Sequence, residues 1–152
     1  MKKNTETYYK TEIFGRIFSL NNALQNYLDK TLKGDNLTVK QMFTMLAIDH
    51  FEDGEPTLKD IAMLLQSSHQ NVKQLINKLE VNGYVKVMKD DNDKRSLRIS
   101  LTKKARDYWE LKDVEHTTKL DLLFQGFDEN ELFAMFHGIE KLLSNIGKLE
   151  ES

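Results

Sequence analysis

The sequence predicts a mainly α-helical fold carrying one small β-hairpin, on three observations. Apolar residues recur at i, i+3, i+4 and i+7 in several separate segments, the period of half-buried helices. Two runs alone, Tyr84–Lys89 and Ser96–Leu101, alternate apolar with polar residues as strands do. Polar pairs spaced three apart, Thr38/Gln41, Thr57/Asp60 and Asp128/Glu131, mark helix starts as capping boxes. A chain of 152 residues with one proline and no Gly/Ser-rich linker or repeat is expected to form one domain with a sizeable core.

The elements follow in order. Ile13, Ile17, Leu20, Leu24 and Tyr27 are spaced 4, 3, 4 and 3, a seam for another helix that Phe14, Phe18 and Leu28 widen. Thr38 with Gln41 opens a helix whose Val39, Met42, Phe43, Leu46 and Ile48 are expected to support the next elements from behind. Residues 52–56 form a turn, and Thr57 with Asp60 caps a helix with Leu58, Ile61, Ala62 and Leu65 on one face. A polar break at Gln66, Ser67 and Ser68 precedes a second helix with Val72, Leu75, Ile76 and Leu79 inward, and Ser67 with Gln70 reads as its capping box. The small Ala62 lets the two helices cross closely, so the pair predicts a helix-turn-helix.

Asn82 and Gly83 end the second helix, Gly83 tolerating a left-handed backbone. The hairpin is next, its polar tip DDNDKR too long for a two-residue turn, and Thr102 opens a long helix through Tyr108, Leu111 and Leu122 toward Phe124. In the last helix Leu132, Met135, Ile139, Leu142, Ile146 and Leu149 are spaced 3, 4, 3, 4 and 3, a second seam widened by Phe133, Phe136 and Leu143. The expected architecture is a winged helix-turn-helix over residues 36–104, with residues 1–35 and 105–152 as a helical dimerisation region. An intramolecular helix pair would bury the same seams. The preferred arrangement is intermolecular, because neither stripe is narrow enough to be covered by a compact winged helix.

The outward side of the second helix suits contact with base edges. Ser68, His69, Gln70, Asn71, Lys73 and Gln74 all donate or accept hydrogen bonds, and no acidic residue follows until Glu80. Most polar helix faces are simply solvated. The missing acids and the adjoining basic hairpin favour the major groove here. Lys94 and Arg95 make the hairpin tip basic; an arginine on a projecting loop suits a narrow minor groove, and Asp93 would orient it. Lys78 and Arg98 are candidate phosphate contacts. The whole chain carries a net charge of −2, which argues against a generic polycation. Residues 67–106 nevertheless hold ten Lys/Arg against four Asp/Glu, a local +6 against −8 elsewhere, so attraction to DNA is confined to one surface.

Helix-turn-helix, hairpin with Asp93-Lys94-Arg95, and the closing Leu101-Thr102 before another helix resemble the MarR family of bacterial transcription regulators. The resemblance extends over essentially the whole chain. It implies Arg95 in the minor groove with Asp93 as its support, and the stretch from Ser68 to Gln74 in the major groove. It also implies a ligand-responsive repressor, a homodimer on a pseudo-palindromic operator, with small molecules bound near the junction of the two regions. Met42, Met45, Phe14 and Phe18 are candidate lining residues for such an effector. Gln66 departs from the glycine that many helix-turn-helix turns carry.

Other function classes find little support. His50, His69, His116 and His137 are far apart, no Gly-rich phosphate loop occurs, and no metal-ligand spacing is present. Glu115-His116 is an acid–base pair without a third group, more simply a solvated surface pair. No enzyme activity and no cofactor are expected. Cysteine is absent, which excludes disulfides and thiol sensing. No signal-peptide core follows the basic start, and no apolar run approaches the roughly 20 residues that span a bilayer, so a cytoplasmic protein without membrane contact is expected. The alternative that stays open is a winged helix used for protein–protein contact without specific DNA binding.

Overall fold

The computed structural model describes residues 5–51, 55–90 and 96–150. The chain forms two compact units, Met1–Tyr108 and Trp109–Ser152. Among the described residues, six α-helices, a short 3-10 turn (Lys33–Asp35) and one two-stranded antiparallel sheet make it mostly helical: α1 (Thr5–Leu32), α2 (Val39–Asp49), α3 (Leu58–Leu64), α4 (His69–Val81), β1 (Val85–Lys89), β2 (Leu97–Leu101), α5 (Lys103–Leu123) and α6 (Glu129–Glu150).

In the first unit the expected capping boxes set the helix starts. The Thr38 hydroxyl accepts from the Gln41 amide at 3.2 Å while the Gln41 side chain accepts from the Thr38 amide at 2.9 Å. Thr57 and Asp60 repeat the exchange at α3, with distances of 3.2 and 2.9 Å. Each box satisfies two amides that the first helical turn leaves without partners.

Between α3 and α4 the chain reverses in a left-handed turn. The Gln66 amide donates to Met63 O and the Ser67 amide to Ala62 O, with Gln66 at φ +48°, a Schellman arrangement. Ser67 is consumed by this turn. The N-cap of α4 therefore falls on Ser68, whose hydroxyl accepts from the Asn71 amide at 3.2 Å, which corrects the expected Ser67/Gln70 box by one residue. A second Schellman arrangement ends α4: Gly83 at φ +75° donates to Glu80 O and Tyr84 donates to Leu79 O.

The core of this unit collects one face from each element. Leu32, Met45, Ile48, Ile61, Val72, Leu79 and Ile99 are almost completely buried. On α2 the inward face is Met42, Met45 and Ile48 with the polar Gln41 and Thr44, whereas Phe43 and Leu46 are exposed, contrary to expectation. Burial of the polar pair is tolerable because Gln41 serves the cap and the Thr44 hydroxyl donates to Lys40 O at 2.7 Å. Val85 pairs with Leu101 and Lys89 with Leu97 in the hairpin. An isolated bridge between Thr57 and Arg98, with Ile99 N–H donating to Pro56 O at 3.0 Å, ties the sheet to the start of α3.

Thr102 closes the lobe. Its hydroxyl donates to the Gly83 carbonyl at 2.6 Å, and its amide to the Tyr84 carbonyl at 3.0 Å, so the exit from β2 is fastened to the end of α4. In the second unit, Asp128 and Glu131 form the expected cap at 2.9 and 3.0 Å, and α6 has no buried residue within the chain.

Candidate nucleic-acid interface

The helix fixed by these turns presents the expected polar set to solvent. Ser68, His69, Gln70, Asn71, Lys73, Gln74, Asn77 and Lys78 are all exposed, while Val72, Ile76 and Leu79 on the opposite side are buried. The face is rigidly held because the apolar side is anchored and both helix ends are capped. Ser68 has a double duty: its oxygen caps the helix, and its hydroxyl stands at the exposed start of α4.

Asp93, Lys94 and Arg95 lie outside the described residues. The base of the hairpin from which they extend is well defined. Asp90 N–H donates to Ser96 O at 3.0 Å. Arg98 donates from Nε to Asp90 Oδ2 and from Nη1 to the Glu55 carbonyl at 3.0 Å, so its half-buried guanidinium is engaged by two acceptors of the lobe, while Lys73 and Lys78 are exposed. Asp60 is held below the usual carboxylate range, first by the Thr57 hydroxyl and then by the Thr57 amide, with smaller help from the Arg98 and Lys59 charges. The cap therefore stays ionised and complements the helix start.

Sequence reasoning missed the Arg98 bracket, because nothing in spacing links Glu55 to a strand 43 residues away. The candidate effector-lining residues fall in two different settings. Met42 and Met45 are buried in the core, and Phe14 and Phe18 are exposed at 67% and 58%. A cavity of about 540 Å³ lies elsewhere in the first unit, between α1, α2 and α4. Leu24, Leu28, Phe43, Leu65 and Leu75 supply its apolar lining, with Lys40 and Lys78 among its polar residues. Phe43 is exposed and Leu75 half-buried, and no signal in the sequence distinguishes them from the core residues of the same helical period.

The seams are laid out as follows. On α1, Ile13, Ile17 and Leu20 are exposed, whereas Leu24 is half-buried and turns into the cavity. On α6, Leu132, Ile139, Leu142, Ile146 and Leu149 are exposed and Met135 is half-buried.

The acid–base pair resolves into surface chemistry. Glu115 is held below the usual carboxylate range by hydrogen bonds from Lys119 and Lys112, so it stays ionised, the opposite of what a general acid needs. His116 packs edge-on against Trp109. Among the described residues no group of three or more His, Asp or Glu could hold a metal ion, and no helix is long and apolar enough to cross a membrane.

Comparison with known proteins matches the MarR family model to residues 35–96. The chain is 27% identical over 146 residues to the transcriptional activatory protein BadR of Rhodopseudomonas palustris, covering 91% of this chain and 81% of that protein. It is 23% identical over 124 residues to the transcriptional repressor MprA of Escherichia coli K12, covering 81% of this chain and 70% of that one. Among solved structures, FabT of Streptococcus pneumoniae in complex with DNA shares the fold at a TM-score of 0.69 and 24% identity, covering 92% of this chain and 99% of that one.

Proposed function

We infer that this chain, whose residues 35–96 match the MarR family model, is a winged-helix protein of that family and regulates transcription as a homodimer on double-stranded DNA. The observation that carries the reading is the exposed face of α4 from Ser68 to Lys78, which holds no acidic residue before Glu80, with His69, Gln70, Asn71, Lys73 and Gln74 turned outward from a capped and anchored helix. Asn and Gln suit adenine, Lys suits guanine or phosphate, and Lys78 extends the face toward the backbone. Arg95, oriented by Asp93, is assigned to the minor groove beside it, with Lys94 adding charge at the tip.

The exposed stripes of α1 and α6 support a dimer, since apolar surface of this extent seeks a partner. Two-fold symmetry would place two recognition helices about 34 Å apart, one helical turn, on a pseudo-palindromic site. Repression by occupying a promoter is the preferred mode. The relatives BadR and MprA differ in the sign of their effect by name, so the position of the site relative to the promoter is decisive. Such a role belongs in the cytoplasm.

An effector fits the cavity between α1, α2 and α4. Its apolar lining flanked by Lys40 and Lys78 suits a small amphipathic anion, and its volume lies in the range of small-ligand sites. Asn71, Gln74 and Lys78 line the cavity and also belong to the outward face of α4, so an occupant and DNA would exclude one another.

The test is selection of genomic fragments by the purified protein at near-physiological salt, followed by footprinting. A protected two-fold site with half-sites one turn apart is expected. Weak, sequence-independent binding that vanishes with salt would overturn the reading. On the selected site, Lys73→Ala should reduce the salt slope by about one if Lys73 meets phosphate, and relax base preference if it meets guanine. Arg95→Ala should weaken binding strongly at equal salt.

A further inference from the structure

One guanidinium joins three parts of the first unit. Arg98 is the second residue of β2, and its Nε donates to Asp90 just past the end of β1. Its Nη1 donates to the carbonyl of Glu55, in the stretch that leads into α3. Its backbone bridges to Thr57, which is itself the N-cap of α3. Asp90 is only 7% exposed, and its amide closes the neck of the hairpin on Ser96 O at 3.0 Å. Asp90 and Ser96, which flank residues 91–95 in sequence, are thus bonded to each other, and Asp90 is clamped to Arg98.

A buried carboxylate on a lobe that binds a polyanion is unfavourable on both counts unless it does something else. Desolvation disfavours its charge, and phosphate would be repelled. Both costs are offset if the carboxylate holds a cation in a fixed place. Arg98 suits the part, because its planar fork can serve two acceptors at once where lysine supplies a single point charge.

We propose that Asp90 and Arg98 form the positioning pair of the wing, setting its neck against the start of α3, and that Arg98 supports operator binding without touching DNA. This rests on the reading of the lobe as DNA-binding, and reassigns Arg98 from the phosphate contact its charge first suggests. Arg95 is joined in sequence to this neck through Ser96, and the pair acts on operator binding through Arg95.

The experiment measures operator affinity over a salt series for the full chain and for Asp90→Asn, Arg98→Lys, Arg98→Gln, Arg95→Ala and the Asp90→Asn/Arg95→Ala double variant. Thermal melting of each is recorded in parallel. The Arg98 Nε–H resonance of the free protein, protected from exchange and lost in Asp90→Asn, reports on the pair independently of DNA. Asp90→Asn removes a negative charge, which by itself would favour DNA. It is expected instead to weaken binding about tenfold, the scale of one lost charge-assisted hydrogen bond. Its salt slope should stay that of the wild type, and its effect should disappear in the Arg95→Ala background, a coupling that general destabilisation would not produce. Arg98→Lys, which keeps charge and fold, should lose affinity to a similar extent. Equal or tighter binding by Asp90→Asn, or a salt slope reduced by about one in Arg98→Gln with Arg98→Lys unaffected, would overturn the proposal in favour of a phosphate contact. A wild-type chain with the protected resonance but no operator would remove the DNA-binding reading, and this inference with it, while leaving the pair itself intact.

Discussion

Gln66 holds a backbone conformation that glycine adopts at no steric cost, at φ +48° in the turn between α3 and α4. Its side chain recovers part of the cost by donating to the Met63 carbonyl at 3.2 Å. Gln66→Gly should therefore stabilise the protein by up to about 1 kcal/mol, relief of the left-handed strain exceeding the added freedom of the unfolded chain. Denaturant unfolding would show a raised midpoint with an unchanged slope; a lowered midpoint would mean that the Gln66 hydrogen bond outweighs the strain. Asp60 supplies a pH prediction. Its folded pKa lies below the usual carboxylate range, so its contribution is fully present above the unfolded pKa and is lost as pH falls through the depressed folded one. Asp60→Asn should accordingly be less stable than the wild type at neutral pH, and the difference should shrink as the solution is acidified below about pH 4. A difference independent of pH would show that geometry, not charge, makes the cap.

At the scale of elements, a single residue of phase separates what patterning shows from what the turn requires. Ser67 and Ser68 are adjacent and chemically identical, and both precede an apolar-periodic segment. Patterning cannot choose between them. The left-handed residue Gln66 and the bond from Ser67 N–H to Ala62 O occupy the first of the two, leaving Ser68 to cap α4. Ser68→Ala should cost about 1 kcal/mol, whereas Ser67→Ala should be close to neutral. Comparable losses for the two variants in thermal unfolding would contradict this division of labour. The same limit applies to α2, where Phe43 fits the helical period as well as Met42 does, yet lines a cavity instead of the core. A helix has a stripe about 100° wide, and residues at its border are assigned by neighbours, not by period.

For the whole molecule, the exposed seams carry the main prediction. Ile139 and Leu142 on α6 are exposed within the chain, as are Ile13 and Ile17 on α1. If these stripes are buried between two copies, Ile139→Asp places an unpaired charge in an apolar contact and should convert a dimer into a monomer on light scattering, with operator affinity falling along with it. A wild-type chain that is monomeric at micromolar concentration would contradict the dimer. A dimer unaffected by Ile139→Asp would move the interface away from α6.

The sequence by itself determined the helical class, the hairpin, three capping boxes at Thr38, Thr57 and Asp128, and the polar face of α4, because period, caps and turn residues are local chemistry. The Leu101-Thr102 motif was legible as a sign of the family, though its work, fastening the exit of β2 to the end of α4, was not. Only the tertiary structure decided which serine caps α4, that Leu24 and Phe43 face a cavity shared with α4, and that Arg98 grips Asp90 and the Glu55 carbonyl. These are contacts between residues remote in the chain or at the border of a stripe. Local propensity does not encode them; they form when packed elements bring their partners within reach.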